Sequence, residues 1–233
     1  MFLAAAVYAS VGHGGASAYL AILGLAGLAP EHMKPIALVL NTAVSLLAML
    51  AFRRAGHFRA DLFWPLAIAS IPAAFLGGWM QATNPVFRTI LALALTAGAA
   101  RLVLPSTNQP SPARRLHPAG AMALGGGLGF LSGLVGIGGG VFLTPVLILA
   151  RWSTARAAAA ISAAFIFVNS LAGLAGWTLR GGRIPMETWY WLPAVAIGGM
   201  AGSAWGSRHA RPVVLCRVLA VVLLAAAIKF ATA

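Results

Sequence analysis

The sequence predicts an all-α polytopic membrane protein built from two inverted repeats, each a glycine-broken re-entrant helical hairpin followed by three transmembrane helices. Three observations predict this architecture. Of the 233 residues, 61% are hydrophobic and only 8% are charged, against about 25% charged residues in soluble domains. Apolar runs of membrane-spanning length fill most of the chain, and a glycine motif recurs in its two halves. The composition alone excludes soluble enzymes, disordered tails, collagens and secreted disulfide scaffolds.

Six apolar runs have the length of one membrane crossing. A bilayer core about 30 Å thick takes roughly 20 helical residues. The tryptophans lie near the ends of the runs, where amphipathic rings favour the membrane interface. The predicted transmembrane helices cover residues 35–52, 62–80, 85–104, 157–179, 188–207 and 212–228.

Two further apolar runs, 1–30 and 118–150, are too long for a single crossing. As straight helices they would reach roughly 45 and 50 Å, well beyond the hydrocarbon core. Glycines interrupt each run near its middle, at 12–15 and 136–140, and glycine lets the backbone leave the helical region at little steric cost. Each run is therefore either a broken helix that crosses the membrane or a hairpin that turns back.

The basic residues favour the hairpins. If both long runs cross, the 16 basic residues divide almost evenly between the two sides, whereas two hairpins place eleven on one side and five on the other. The second distribution is the bias that the positive-inside rule expects. It predicts both termini on the non-cytoplasmic side of a bacterial inner membrane. The five residues predicted outside are Lys34, Arg88, Arg180, Arg183 and Lys229.

The halves of the chain repeat each other. Val-Gly-His-Gly-Gly at residues 11–15 recurs as Val-Gly-Ile-Gly-Gly at 135–139, and Asn41 matches Asn169. We therefore divide the chain into a first transmembrane repeat (1–104), a polar, proline-rich cytoplasmic linker (105–117) and a second transmembrane repeat (118–233). A hairpin plus three spans makes an odd number of crossings, so the second repeat is inverted. Inverted repeats with interrupted segments are typical of secondary transporters.

These motifs resemble the sulfite exporter TauE/SafE family. The resemblance rests on Val-Gly-His-Gly-Gly-Ala-Ser at residues 11–17, Gly-Leu-Val-Gly-Ile-Gly-Gly-Gly at 133–140 followed by Pro145, and the paired asparagines. It covers nearly the whole chain and implies export of sulfite, organosulfonates or related small oxyanions.

Chemistry at the glycine breaks has two interpretations. Small residues could simply allow close helix packing. Alternatively, each break starts a half-helix whose free N–H groups and positive dipole end face a cavity and bind an anion. The second interpretation predicts that substrate contacts come from the breaks and from polar residues of the following helices. The predicted substrate-binding residues are Gly12, His13, Gly14, Gly15, Ala16, Ser17, Asn41, Ser45, Gly136, Ile137, Gly138, Gly139, Gly140 and Asn169.

Three polar side chains of this set have alternatives of their own. A buried carboxamide at Asn41 or Asn169 either forms an interhelical hydrogen bond or donates to substrate oxygens. Ser45 lies one turn beyond Asn41 on the same helix face. His13 is the only ionisable residue predicted near the membrane centre, and it is a neutral cap of the backbone, a proton carrier or a cationic ligand of the anion.

Other functions find less support in the sequence. The three acidic residues fall in predicted loops and the histidines are scattered, so neither a catalytic constellation nor a metal site is visible. The net charge of +13 is spread in small groups without a nucleic-acid-binding patch. We predict no enzyme activity, cofactor, metal or nucleic-acid partner; the expected partners are a small anion and the lipid bilayer. An anion channel or, with less support, an intramembrane enzyme are the alternatives to a carrier.

Overall fold

The computed structural model describes residues 1–80, 84–103 and 117–208, together with residues 224, 227, 228 and 231. Regular structure in these residues is entirely helical, which confirms the predicted class. The nine helices of the continuous segments are α1 (Phe2–Ser10), α2 (Ala16–Leu25), α3 (Pro30–Arg54), α4 (Ala60–Trp79), α5 (Asn84–Val103), α6 (Pro118–Val135), α7 (Gly140–Leu149), α8 (Ala155–Leu179) and α9 (Glu187–Gly206).

The helices follow the predicted spans closely. Helices α3, α4, α6 and α8 are long and apolar enough to cross a membrane. Helices α5 and α9 coincide with the runs 85–104 and 188–207. Residues 105–116 of the predicted linker and most of the run 212–228 lie outside the described residues.

Both halves contain the same series of helices after their glycine breaks. Helices α2 and α7 have 10 residues each, α3 and α8 have 25, and α4 and α9 have 20. The segments before the breaks differ, since α1 has 9 residues and α6 has 18. The sequence repeat is therefore matched by a repeat of local structure.

Helices α3 and α8 pack against each other in opposite directions. The Lys34 ammonium, near the start of α3, lies 5.3 Å from the ring of Trp177 near the end of α8. In the middle of both helices the Asn41 amide donates to Ser170. At the other end, Phe52 packs with Ala159 and the neighbouring alanine of α8. The two corresponding helices thus form an antiparallel pair inside the protein.

Glycines allow the backbone of α6 to contact that of α4, and the backbone of α9 to contact that of α1. Each glycine stands four residues from the next, and a Cβ on any of them would overlap a carbonyl oxygen of the opposite helix. Such stripes of small residues allow close approach of helices in membranes. Gly125, Gly129 and Gly133 face Leu66, Ser70 and Ala74, while Gly198, Gly202 and Gly206 face Phe2, Ala6 and Ser10.

The second glycine break brings the start of α7 beside α6. A Cβ placed on Gly139, before the start of α7, would lie 3.3 Å from the carbonyl oxygen of Leu128 and 3.5 Å from the Cβ of Ser132, both on α6. Ala121 at the start of α6 and Leu147 near the end of α7 belong to one buried cluster. The second long run is therefore broken into two helices at its glycines, and the backbone at Gly139 returns to the side of α6.

Candidate functional site

The predicted glycine breaks are the places where the helices end. In the first half, Gly12 and Gly15 have φ values of +77° and +96°, and α2 begins directly after Gly15. In the second half, Gly136, Gly138 and Gly139 have φ values between +75° and +87°, and α7 begins directly after Gly139. Only glycine adopts this left-handed backbone without a steric penalty. Each motif therefore ends one helix and starts another within a few residues.

Each break is buried against a long helix of the opposite half. A Cβ on Gly12 would overlap the carbonyl oxygen of Ala159 in α8. A Cβ on Gly136 would lie 3.1 Å from the carbonyl oxygen of Lys34 in α3. Residues 12–15 and 136–139 are all buried. The first break thus packs against the second half of the chain, and the second break packs against the first half.

Asn41 joins the two breaks. Its amide lies between them so tightly that a Cβ on Gly14 would overlap its Oδ1, and a Cβ on Gly138 would overlap its Nδ2. The Oδ1 atom accepts a hydrogen bond from the Ala16 amide at 3.3 Å, and Nδ2 donates to Ser170 Oγ at 2.9 Å. Asn41 therefore caps the first turn of α2, where Gly15 has no side chain to do so.

Asn169, the matching residue in α8, makes a different set of bonds. Its Nδ2 donates to the carbonyl oxygen of Phe165, one turn earlier in the same helix, at 2.8 Å. Its Oδ1 is fully buried and has no hydrogen-bond partner among the described residues. The two asparagines occupy matching positions in the sequence but differ in their bonding. Asn41 uses both its Oδ1 and its Nδ2, whereas Asn169 uses only its Nδ2 and leaves its Oδ1 available as an acceptor.

His13 links the first break to the start of α7. The side chain is 4% exposed, with Nδ1 3.1 Å from the carbonyl oxygen of Val11 and Nε2 3.1 Å from that of Gly140. The Thr144 hydroxyl lies 3.2 Å from the same Nε2. Carbonyl oxygens only accept, so an imidazolium satisfies both of them, whereas a neutral ring donates to one and can accept from Thr144. Ile137, at the matching position, is a buried apolar side chain.

The predicted hydroxyl ligands are engaged within the protein. Ser45 Oγ donates to the backbone carbonyl of Asn41 at 2.6 Å, so this hydroxyl bonds its own helix. Ser17 Oγ donates to the Tyr8 hydroxyl at 2.8 Å, and the Tyr19 hydroxyl donates to the carbonyl oxygen of Gly14 at 2.9 Å. The two tyrosines were not predicted from the sequence; both lie on the short helices beside the first break.

Unpaired donors gather at the start of α7. The amides of Gly140 and Val141 donate no hydrogen bond within the described part of the chain. The Ser132 hydroxyl, on a side chain that is 1% exposed, is also unpaired there. It stands beside Gly139, the residue that precedes α7. Sequence reasoning missed Ser132, although its place one turn before Gly136 is a signal that could have found it.

Lys34 is a buried cation that the charge count had assigned to the membrane surface. Its ammonium group donates to the carbonyl oxygens of Gly77, Gly78 and Met80, at 3.2, 3.1 and 3.1 Å. These carbonyls end α4, where the helix dipole is negative and intrahelical donors are missing. Lys34 therefore fastens the start of α3 to the end of α4, directly beside the second break.

We expect Lys34→Met to lower the free energy of unfolding by at least about 2 kcal/mol, because methionine cannot donate to the three carbonyl oxygens at the end of α4. Thermal unfolding in detergent measures this loss. Arg183→Met is the matched control, since Arg183 is an exposed cation at the same end of α8. Equal unfolding temperatures for the two variants would contradict a fastening role for Lys34.

Comparisons with known proteins cover nearly the whole chain. The family model "Sulfite exporter TauE/SafE" matches residues 1–230. A protein of Sinorhizobium fredii (strain NBRC 101917 / NGR234), described as "Probable membrane transporter protein y4hK", is 35% identical over 234 residues, which cover 98% of this chain and 94% of the relative. No solved structure matches the chain.

Proposed function

Because the chain belongs to the sulfite exporter TauE/SafE family and is an integral membrane transporter, we propose that it exports small sulfur oxyanions, such as sulfite or an organosulfonate, across the bacterial cytoplasmic membrane. The observation that carries the proposal is the meeting of two helix starts, those of α2 and α7, at buried glycine breaks joined by Asn41 and His13. The anion binds between these half-helices.

The electrostatics of the breaks suit an anion. Free amides and the positive end of a helix dipole attract negative charge without needing a formally charged ligand. The three acidic residues of the chain, Glu31, Asp61 and Glu187, all lie in the first turns of α3, α4 and α9. No carboxylate therefore stands at either break to repel an anion or to bind a coupling cation.

Alternating access follows from the two halves. The antiparallel pairing of α3 and α8 is the arrangement that inverted repeats require, and exchange of positions between such repeats opens a central site to each side in turn. The Asn41 amide contacts both breaks, and a side chain that must move before an anion can pass favours a carrier over a continuously open channel. We also propose that both termini lie on the non-cytoplasmic side, as the distribution of basic residues predicts.

We expect export to run on the membrane potential alone. Moving one negative charge out of a negative cytoplasm gains about 2.3 kcal/mol per 100 mV. Proteoliposomes with a potassium diffusion potential and equal, clamped pH on both sides should show sulfite flux whose direction follows the sign of the potential. His13→Gln should retain much of it, since a glutamine amide can still donate to Gly140.

The same experiment can contradict export driven by the membrane potential alone. Flux that requires a pH gradient, and that is lost in His13→Gln, would establish proton coupling through His13 instead. Conductance far above the rate of a carrier would identify a channel. Liposomes without protein and liposomes held at zero potential are the controls.

A further inference from the structure

We infer that the anion binds at the start of α7 and that this subsite selects an oxyanion which keeps a proton, such as hydrogensulfite rather than sulfate. The inference rests on the proposed function and adds the chemical form of the substrate. Its basis is that, among the described residues, hydrogen-bond donors without a partner lie at the second break, and the Asn169 carbonyl oxygen on the opposite helix accepts no hydrogen bond.

The donors lie in the last turn of α6 and the first turn of α7. The amides of Gly140 and Val141 open α7 and donate no hydrogen bond within the described residues. The buried Ser132 hydroxyl beside Gly139 is likewise unpaired. Two amides and one hydroxyl can hold the oxygens of a small oxyanion, and the dipole of α7 adds to the attraction.

Asn169 faces the same stretch of the chain. On α8 it stands between Phe165 and Gly173, one turn from each, so the three residues share one helix face. A Cβ on Gly139 would lie 3.0 Å from the Phe165 ring, and a Cβ on Gly173 would lie 3.1 Å from the Cα of Gly133. The helix face that carries Asn169 therefore lies opposite the segment from Gly133 to Gly139.

The orientation of the Asn169 amide is fixed by its own helix. The Phe165 carbonyl oxygen can only accept, so the amide NH₂ must point to it and Oδ1 must point away. A fully deprotonated oxyanion has only acceptor oxygens, so it would be repelled by the Asn169 Oδ1 atom. An oxyanion with an O–H group would instead donate to it and satisfy a buried acceptor that has no partner among the described residues.

The unpaired acceptor sets the expected ratio of affinities between protonated and fully deprotonated oxyanions. A site built to hydrogen-bond a substrate hydroxyl rejects analogues that lack it, because its own polar group is then left unpaired. We expect at least about a tenfold preference, the ratio that corresponds to one net hydrogen bond. The first break cannot select in this way, since Asn41 already uses its Oδ1 on the Ala16 amide.

Sulfate and phosphate are the probe pair that tests the inference. Both are tetrahedral oxyanions of similar size, but only phosphate keeps a proton at neutral pH. Calorimetric binding to the purified full-length protein should show phosphate bound at least about tenfold more tightly than sulfate. Asn169→Leu should remove the preference by weakening phosphate alone, and Ser132→Ala should weaken both anions equally.

Thr188→Val is the matched control, because Thr188 is buried at the start of α9 and its hydroxyl has no partner among the described residues. The other end of α9 is the one that packs near the first break, with Gly206 against Ser10. Thr188→Val should change neither affinity. A second measurement needs no variant: sulfite affinity of the wild-type protein should fall as rising pH converts hydrogensulfite to the dianion, while sulfate affinity stays constant.

A sulfate affinity equal to that for phosphate, a preference that survives in Asn169→Leu, or a sulfite affinity that rises with pH would each overturn the inference. None of these results would affect the proposed function, because an anion would still be bound. Failure of the wild-type protein to bind or transport any of the three anions would overturn both.

Discussion

Gly138→Ala is expected to slow anion transport at least about a hundredfold. A Cβ at this position would overlap the Asn41 amide and lie 2.7 Å from the Ile166 side chain, and the residue has a φ of +81°. The left-handed backbone costs a non-glycine residue roughly 1–2 kcal/mol, and overpacking adds about 1–3 kcal/mol. The substitution therefore displaces the side chain that joins the two breaks.

Gly56→Ala separates the two causes. Gly56 has a nearly identical φ of +77°, but a Cβ there would meet nothing within 4 Å. This variant should carry the backbone cost and still transport at the wild-type rate per folded molecule. Initial rates in proteoliposomes, corrected for the folded fraction, make the comparison. Equal transport rates for the two variants would show that the second break is not part of the transport site.

Asn41→Ala is expected to reduce both stability and transport. It leaves the Ala16 amide and the Ser170 hydroxyl without their described partner, and a buried unpaired group costs about 1–3 kcal/mol. We expect a loss of unfolding free energy in this range and at least about a tenfold loss of transport. Asn169→Ala breaks only a bond within its own helix, so it should weaken transport by more than it weakens folding.

Thr42→Val is the control beside Asn41, because the Thr42 hydroxyl donates only to Leu38 of its own helix at 2.7 Å. It should preserve both properties. Thermal unfolding and uptake per folded molecule are measured for all three variants. If the unfolding temperatures of both asparagine variants fall sharply while their transport is unchanged, the asparagines serve packing alone.

Composition and periodic spacing predicted the membrane class and most helix bounds, because a bilayer imposes a length and an apolar surface on every crossing segment. Glycine predicted the breaks for an equally local reason, since few other residues adopt a positive φ. Asn41 and Asn169 were found as a matched pair inside apolar helices, where an amide is costly without a partner.

Partners between distant segments could not be predicted in the same way. The sequence shows that Asn41 and Asn169 correspond, but only packing decides that Ala16 and Ser170 approach Asn41, whereas Asn169 bonds within its own helix. Lys34 looked like a surface charge because a charge count does not see the carbonyls at the end of α4. Ser132 lies in an apolar run of the sequence, and only the folded backbone brings Gly139 beside it.

Counterflow of sulfite tests the central claim most directly. Proteoliposomes loaded with unlabelled sulfite and diluted into a trace of labelled sulfite should accumulate the label transiently, because a carrier with one anion site exchanges across the membrane. The wild-type protein and Gly56→Ala should show this overshoot, and Gly138→Ala should not. Folded wild-type protein that shows no overshoot with sulfite, thiosulfate or any organosulfonate would contradict a sulfur-oxyanion carrier whose site lies where the two glycine breaks meet.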